Sequence, residues 1–426
     1  MSERDFQWMT GFESSAFPQV GVDELEDTQH YRWWASDLVR VREVGITLIR
    51  YPIPWQRVNP RPHEYDWRWT DQALDLMQAL GITPIVDLFH FGTPLWIESG
   101  IMHPIFGELQ GWYARAFAKR YPHVAYYTPT NEPYICATFG AELAIWYPFL
   151  RGDRNAVLAI KNVTEGVCRA MAEVRRVRPD ALMMLPDTCE YFHAVDEAFR
   201  QEADFRSARR FLVHDLYQGR VDRDHPMWGY MAGNGIAERE LGWFLEHPVR
   251  LDILGLDYYP HSERQLRRGP NGERMDEPAT RPLGWTELAR QYSERYDGIP
   301  VILAETNLGG PVEERIRWLE GLVEQTRKAR AAGIPVAGLT WYGTVDHVDW
   351  DTTLRVRNLT INPCGMWSLE RRGDRLARTP TALVERYRNY LAAPLTDSVG
   401  ELASTEAAAR VRAVLAPAAA RTRTAP

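Results

Sequence analysis

The strongest constraint on the fold of this chain is a short signal that occurs three times. An amphipathic stretch ends at a glycine, and an apolar run follows directly, at Gly45, Gly81 and Gly333. Glycine ends a helix here because it adopts a left-handed backbone conformation without steric cost. The signal predicts helices over Trp34–Val44, Asp71–Leu80 and Glu313–Ala332. Helices that alternate with buried strands in this way are typical of a parallel sheet.

Short apolar runs alternate with longer amphipathic stretches along the chain, and eight of these runs are predicted to be strands. Eight strand–helix units close into a barrel, which fills a chain of 426 residues without a second domain. We therefore predict an α/β protein with one (β/α)8 TIM barrel in residues 1–391. The predicted strands are Phe6–Ser14, Ile46–Pro52, Ile82–His90, Val124–Asn131, Ala181–Asp187, Asp252–Tyr259, Pro300–Thr306 and Val336–Trp341.

Three segments depart from the repeat. The long stretch 191–250 is predicted to hold extra helices, and the charged, Gly- and Pro-rich stretch Arg264–Thr286 is predicted to be a loop over the active-site face. Residues 392–426 end in Ala, Arg, Thr and Pro, which predicts a flexible, partly disordered C-terminal tail. A short helix over Glu401–Leu415 is the alternative for part of that tail.

Charge and hydropathy narrow the class of partner. The formal net charge is -7 and the pI about 5.9, whereas nucleic-acid and anionic-membrane binding favour basic patches. The first residues do not resemble a secretory signal, and no run of 18 apolar residues occurs. We expect a cytoplasmic protein with no nucleic-acid or membrane partner; the oligomeric state stays open.

Two glutamates end predicted strands in a pattern that carries chemistry. The run TPTNEPY ends the fourth strand with Glu132, and AETN ends the seventh with Glu305. The carboxyl ends of barrel strands form the active-site face, so these side chains can meet. A single strand-end Glu is more often solvated or paired with an Arg. Two of them match retaining glycoside hydrolysis, which needs carboxyls about 5–5.5 Å apart.

The same segments resemble glycoside hydrolase family 1 from Phe6 to about Tyr390. Asn131-Glu132-Pro133 matches the family's acid/base motif, and Glu305 matches the Glu of its Thr-Glu-Asn-Gly motif, although the neighbouring residues differ. In LFHFGTPLW, the residues His90, Pro94 and Trp96 match the segment His-Trp-Asp-x-Pro-x-Trp. The resemblance implies a barrel with Glu132 as acid/base and Glu305 as nucleophile.

The resemblance also implies supporting and substrate-binding residues. Arg50 lies beside the nucleophile and keeps it ionised, Tyr259 hydrogen-bonds it, and Asn131 is expected to bond the sugar 2-hydroxyl. GLDYY has Asp257 where the family has Asn, and Glu13 is a weak substitute for a sugar-gripping Gln. The remaining expected substrate-binding or supporting residues are His90, Trp341, Asp349 and Trp350, of which Asp349-Trp350 stands for the family's sugar-holding Glu-Trp pair. The alternative for His90, Trp341 and Trp350 is a place in the core.

These observations predict a retaining exo-β-glycosidase of the β-glucosidase or β-galactosidase type, with a β-glycoside as substrate and no metal or cofactor. An endo-glycanase of the same clan and a noncatalytic carbohydrate-binding barrel are the alternatives. A metal-dependent barrel hydrolase is disfavoured because its first strand usually carries His-x-His, and Phe6–Ser15 has no His. A 6-phosphoglycosidase is disfavoured by the expected position of Asp349. The identity of the sugar stays open.

Overall fold

The computed structural model describes residues 5–416 and contains a closed barrel of eight parallel strands. The strands follow one another around the barrel in chain order, and the first pairs with the last. The predicted (β/α)8 barrel is therefore confirmed. The strands are β1 (Gln7–Gly11), β2 (Leu48–Pro52), β3 (Thr83–Asp87), β4 (Tyr126–Thr128), β5 (Leu182–Thr188), β6 (Ile253–Asp257), β7 (Val301–Thr306) and β8 (Val336–Tyr342).

A principal helix follows each strand. Gly45 and Gly81 end the first two of these helices with φ of 104° and 67°, and Gly333 follows the seventh with φ of 82°. The three glycine signals are thus helix ends, as predicted. The principal helices are α1 (His30–Val44), α2 (Arg68–Leu80), α3 (Phe106–Arg120), α4 (Asp153–Val177), α5 (Leu212–Tyr217), α6 (Trp285–Arg295), α7 (Val312–Ala331) and α8 (Ala382–Ala392).

Short elements decorate the loops between these units. Among the residues that the structure describes, no helix is long and apolar enough to cross a membrane. The extra helices predicted in 191–250 are present as Arg200–Arg209, Trp228–Gly233 and Glu238–Glu246. Other short helical segments are Pro18–Val20, Glu24–Asp27, Trp55–Val58, Gly100–Met102, Pro133–Ala137, Thr138–Glu142, Glu197–Phe199, Trp350–Thr352 and Leu395–Ser398. Two-stranded pairs are Ala16–Phe17 with Val22–Asp23, His347–Val348 with Ile361–Asn362, and Trp367–Arg372 with Arg375–Pro380.

The predicted loop Arg264–Thr286 is mostly a β-hairpin. Its strands Glu263–Arg268 and Arg274–Pro278 pair with each other, and the first also pairs with Tyr191–Ala194. The prediction of a loop was wrong, because ion pairs between the two strands stabilise the hairpin. Arg267 Nε, for example, lies 2.6 Å from a Glu277 carboxylate oxygen. These charged strands lack the alternating apolar residues by which a strand is predicted from sequence.

The C-terminal segment forms a helix that packs under the barrel. Helix α9 (Thr405–Leu415) buries Val411 and Leu415 in one apolar cluster with barrel residues such as Ile253 and Ile302. These contacts lie toward the starts of the strands, so α9 covers the end of the barrel opposite the strand carboxyl ends. The described part of the predicted tail therefore matches the alternative of a short helix, and residues 417–426 lie outside the described residues.

Removing residues 393–426 is expected to destabilise the protein. The deletion would expose the apolar barrel residues that α9 covers. Burial of the α9 side chains Val411, Val414 and Leu415 together contributes about 3 kcal/mol or more to the free energy of unfolding. Thermal unfolding should show a melting temperature several degrees lower, by about 3 °C or more. The matched control is Ala409→Ser on the exposed side of α9, which should melt like the unchanged chain. Equal melting temperatures for the deletion and this control would contradict the packing role of α9.

Candidate active site

A cavity of about 1240 Å³ opens at the carboxyl ends of the barrel strands. Its lining includes Glu132 after β4, Tyr259 after β6 and Glu305 on β7, together with Glu13 and His90 from the loops after β1 and β3. Side chains distant in sequence meet here because parallel barrel strands all end on one face. The structure therefore brings together most of the residues singled out from the sequence.

Both carboxylate oxygens of Glu305 are held by neighbours. Oε1 accepts a hydrogen bond from Arg50 Nη1 at 2.5 Å, and Oε2 accepts one from the Tyr259 hydroxyl at 2.8 Å. Burial raises the pKa of Glu305, while the charges of Arg50 and His90 act to lower it, and the net shift is upward. The two hydrogen bonds fix the plane of the carboxylate, and the guanidinium favours its charged form.

Arg50 is itself held in place by a buried network. Its Nη2 donates to Asp87 Oδ2 at 2.9 Å and to Asn131 Oδ1 at 2.6 Å. His90 joins the same network, with Nδ1 at 3.0 Å from Asp87 Oδ2 and Nε2 at 3.2 Å from Asn131 Nδ2. The network fixes the guanidinium that faces Glu305. Sequence reasoning missed Asp87, although a carboxyl inside the apolar run of β3 was a usable signal.

Glu132 lies on a strained backbone at the start of the short helix Pro133–Ala137. Its φ is +38°, in the left-handed region that costs a non-glycine residue about 1 kcal/mol or more. Its own N–H donates to Pro186 O at 3.0 Å, and the N–H of Asn131 donates to Phe89 O at 2.8 Å. These bonds to β5 and to the loop after β3 hold the strained turn and direct the carboxyl into the cavity.

The two glutamates differ in their electrostatic surroundings. Burial, followed by the charges of Glu305 and Asp187, raises the pKa of Glu132 well above its usual range. In contrast with Glu305, no ion pair to Glu132 occurs in residues 5–416. One oxygen of each of Glu132, Asp257 and Glu305 lies within 4.8 Å of the other two. The arrangement therefore favours a protonated Glu132 beside an ionised Glu305.

The three neighbouring carboxyls also bear on metal binding. An all-carboxylate set suits hard cations such as Ca²⁺ or Mg²⁺. The Arg50 guanidinium already supplies a positive charge at Glu305 and would repel a cation there. We therefore interpret the three carboxyls as groups that exchange protons, and not as metal ligands.

Glu13 is an ionised acceptor in the cavity lining. Its Oε1 accepts the N–H groups of Ser14 at 3.0 Å and Ser15 at 2.8 Å. Burial alone would raise its pKa, but the charges of His90 and His347 and the bonds from Ser15 outweigh burial, so the pKa is lowered. Glu13 thus presents a carboxylate to the cavity where the resembling family has an amide.

His347 is a cavity residue that sequence reasoning missed. It is buried, it lines the cavity, and its Nε2 has no hydrogen-bond partner in the described part of the chain. Burial lowers the pKa of His347, although the carboxylates of Glu13 and Asp346 act against this shift. A polar residue in the segment that follows strand β8 was the available signal, because strand-end segments line the active-site face.

Trp341 matches the core alternative and not a sugar contact. Trp341 is fully buried outside the cavity lining, and its indole N–H donates to Cys364 O at 2.9 Å. The next residue, Tyr342, lies instead beside Arg50, whose guanidinium carbon is 5.2 Å from the ring centroid. Neighbouring residues of a strand point to opposite faces of the sheet. A shift of one position along β8 therefore decides whether Trp341 or Tyr342 faces the barrel interior.

Asp349 likewise lies outside the cavity lining, and its role is a supporting one. Its carboxylate accepts the backbone N–H groups of Asn358, Leu359 and Thr360 at 2.8, 2.9 and 2.7 Å, and the residue does not line the cavity. Asp349 therefore orders the loop after β8, and repulsion by Asp349 no longer argues against a 6-phosphoglycoside. Trp350, its predicted partner, does line the cavity.

Comparison with known proteins agrees with this architecture. The profile described as glycosyl hydrolase family 1 matches residues 19–220. β-Glucosidase A of Thermotoga maritima is 23% identical over 75% of this chain and 78% of its own length. These matches support membership of glycosyl hydrolase family 1. This glycoside hydrolase is also 24% identical to a 6-phospho-β-glucosidase of Dickeya chrysanthemi, over 82% of this chain and 83% of that protein.

Solved structures of family 1 enzymes have the same fold. A family 1 β-glucosidase from Thermotoga maritima superposes with a TM-score of 0.76 at 18% identity, covering 91% of this chain and 97% of that one. A β-glucosidase from Thermotoga maritima in complex with deoxynojirimycin also gives 0.76, covering 93% of this chain and 98% of its own. At this identity the likeness establishes the barrel fold, and the substrate must be argued from the site.

Proposed function

We propose that this family 1 enzyme is a retaining exo-β-glycosidase that uses Glu305 as nucleophile and Glu132 as acid/base. The observation that carries the proposal is the contrast within the pair. Glu305 is clamped by Arg50 and Tyr259, whereas Glu132, with an oxygen within 4.8 Å of a Glu305 oxygen, has a strongly raised pKa. The two carboxyl groups of a retaining enzyme lie about 5–5.5 Å apart. In an inverting enzyme they lie about 6.5 Å apart or more, which leaves room for a water between them and the sugar.

The proposed reaction has two displacement steps. Glu305 attacks the anomeric carbon while Glu132 gives its proton to the glycosidic oxygen, and the aglycone alcohol leaves. Glu305 is then esterified and uncharged, so the pKa of Glu132 falls. Glu132 next takes a proton from water, which attacks the anomeric carbon and releases the sugar with its original β configuration and a free Glu305.

The composition of the cavity supports exo action. Its lining carries acceptors and donors for sugar hydroxyls in Glu13, His90 and His347, and Phe139 and Trp146 contribute apolar surface. A volume of about 1240 Å³ exceeds one sugar ring and leaves room for an aglycone. The names of relatives favour a glucose-type glycone: one is β-glucosidase A, and another, from Bifidobacterium breve, is a bifunctional β-D-glucosidase/β-D-fucosidase.

A panel of aryl β-glycosides tests this function. We expect hydrolysis of at least one monosaccharide substrate among glucoside, galactoside, fucoside, xyloside and mannoside, with the β anomer as the first product in proton NMR. The same substrates with 6-phosphate test the class named by the Dickeya relative. A first product with α configuration would contradict retention. Cleavage of internal bonds in β-glucan without cleavage of any short glycoside would favour the endo-glycanase. Cleavage of none of these substrates would favour the noncatalytic carbohydrate-binding barrel.

A further inference from the structure

An apolar strip of three side chains leads away from Glu132 along one helix. Glu132 directly precedes a continuous helical segment, residues 133–142. Ile135, Phe139 and Leu143 follow one another at intervals of four residues, so they lie on one side of this segment. All three line the cavity, and Leu143 at the outer end is 44% exposed. The apolar strip therefore runs from the proposed acid/base to the rim of the cavity.

The polar groups next to the apolar strip are already paired. The Thr138 hydroxyl donates to a backbone carbonyl of the preceding turn at 2.9 Å, and Glu142 forms an ion pair with Arg209 at 3.0 Å. Trp146 packs its ring against that of Phe139, with 4.8 Å between the centroids, and its indole N–H donates to a backbone carbonyl at 2.9 Å. Because these groups are occupied within the protein, this side of the cavity offers apolar surface to a substrate.

We propose that the apolar strip binds the leaving group, and that the substrate is a β-glycoside with an elongated apolar aglycone such as an alkyl chain. This rests on the proposed role of Glu132. When the bond between the anomeric carbon and the glycosidic oxygen breaks, that oxygen takes the Glu132 proton and leaves as the hydroxyl of the aglycone alcohol. The aglycone must therefore begin beside Glu132, where the apolar strip also begins. From Ile135 to Leu143 the strip extends over two helical turns, or roughly 10 Å, which accommodates a chain of several methylene groups.

The charged residues of the cavity lining belong to other segments of the chain. Arg206 lies in the helix that follows β5, and Arg264 lies in the hairpin that follows β6. Both contact the carboxylate of Asp276, which Arg206 Nη1 approaches to 2.8 Å. A sugar aglycone needs partners for its hydroxyl groups and would bind against these residues instead. The two kinds of aglycone therefore predict opposite substrate preferences.

Kinetics with n-alkyl β-glucosides from methyl to octyl, assayed beside cellobiose and below the critical micelle concentration, test the proposal. If the aryl panel selects another glycone, the alkyl series carries that sugar. The alcohols are similar as leaving groups, so differences in kcat/KM report aglycone binding. Each added methylene should raise kcat/KM by roughly 2- to 4-fold until the strip is filled, and octyl should exceed methyl by about 10²-fold or more. No rise with chain length, or a higher kcat/KM for cellobiose than for the octyl glycoside, would overturn the proposal.

The variant Leu143→Gln tests the position of the aglycone. It places an amide at the exposed outer end of the strip and should lower the octyl-to-methyl ratio of kcat/KM by roughly 3-fold or more. The matched control is Leu245→Gln, which changes a leucine that is 38% exposed and does not line the cavity, and which should keep the wild-type ratio. A wild-type ratio in Leu143→Gln would overturn the assignment of the strip. Failure of the proposed function is a separate result, in which no aryl or alkyl β-glycoside is cleaved.

Discussion

Replacing Glu305 by glycine is expected to lower turnover of aryl β-glycosides by roughly 10⁴-fold or more, because no other group can form the covalent intermediate. Azide should restore part of the rate. The deletion leaves a space between Arg50 Nη1 and the Tyr259 hydroxyl, the two donors that hold Glu305, and a small anion can occupy it. Azide then attacks from the face that Glu305 occupied, and the product is an α-glycosyl azide.

The stereochemistry of that product makes the test specific. An α-glycosyl azide, identified by NMR, requires that the missing group attacked the anomeric carbon. Near-normal activity of Glu305→Gly would show that Glu305 is not the nucleophile. Circular dichroism and thermal unfolding must accompany the assay, since the variant leaves the buried Arg50 with one partner fewer, and an unpaired buried charge is costly.

Tyr259→Phe is the matched control for the Glu305 experiment. It removes the 2.8 Å hydrogen bond to Oε2 but keeps the nucleophile. Loss of one hydrogen bond to a charged group corresponds to about 1.5–3 kcal/mol, or roughly 10- to 150-fold in rate if the bond acts fully in the transition state. Azide should not rescue this variant, because the carboxylate still fills the space. Equal rescue of both variants would mean that azide acts elsewhere in the cavity.

The barrel was predictable because its signals are local. Gly45, Gly81 and Gly333 each mark a helix end that depends on the conformational freedom of one residue, and the strands are apolar runs between such marks. The positions of Glu132 and Glu305 follow from the same logic, since a residue that ends a parallel barrel strand lies on the active-site face whatever its distant neighbours are.

Side-chain direction beyond the strand ends was not predictable. Trp341 and Tyr342 are adjacent aromatics, and only the register of β8 against β1 and β7 decides which one faces the barrel interior. The carboxylate of Asp349 is consumed by three backbone N–H groups of a loop about ten residues later, a contact without a sequence pattern.

The packing of α9 escaped prediction for a different reason. The composition of residues 392–426 averages a polar, Pro-containing end with the apolar face of Val411, Val414 and Leu415. A helix of 11 residues has little stability of its own, and its order depends on apolar surface at the base of the barrel that the local sequence does not reveal.

The pH profile of the wild-type enzyme is expected to be bell-shaped. Activity should fall as the pH drops through the pKa of Glu305, because the protonated acid is not a nucleophile. It should fall again as the pH rises through the pKa of Glu132, because the carboxylate cannot protonate the leaving group. Burial raises the pKa of both glutamates. The charges of Arg50 and His90 oppose this shift at Glu305, whereas the charge of Glu305 raises the pKa of Glu132 further. The working window therefore lies between them, above the usual range of carboxyl titration.

Replacing Glu132 by alanine should separate substrates by the quality of their leaving group. Aryl glycosides with activated phenols need little protonation and should still form the glycosyl-enzyme, whereas alkyl glycosides and disaccharides should react about 10²- to 10⁴-fold more slowly. The alkaline limb should disappear for the activated substrates. Glu142→Ala is the matched control, since Glu142 lines the same cavity but pairs with Arg209, with an oxygen 3.0 Å from Nη2. That variant should affect both substrate types by one factor. If Glu132→Ala also lowers both by the same factor, or keeps the alkaline limb unchanged, Glu132 is not the acid/base.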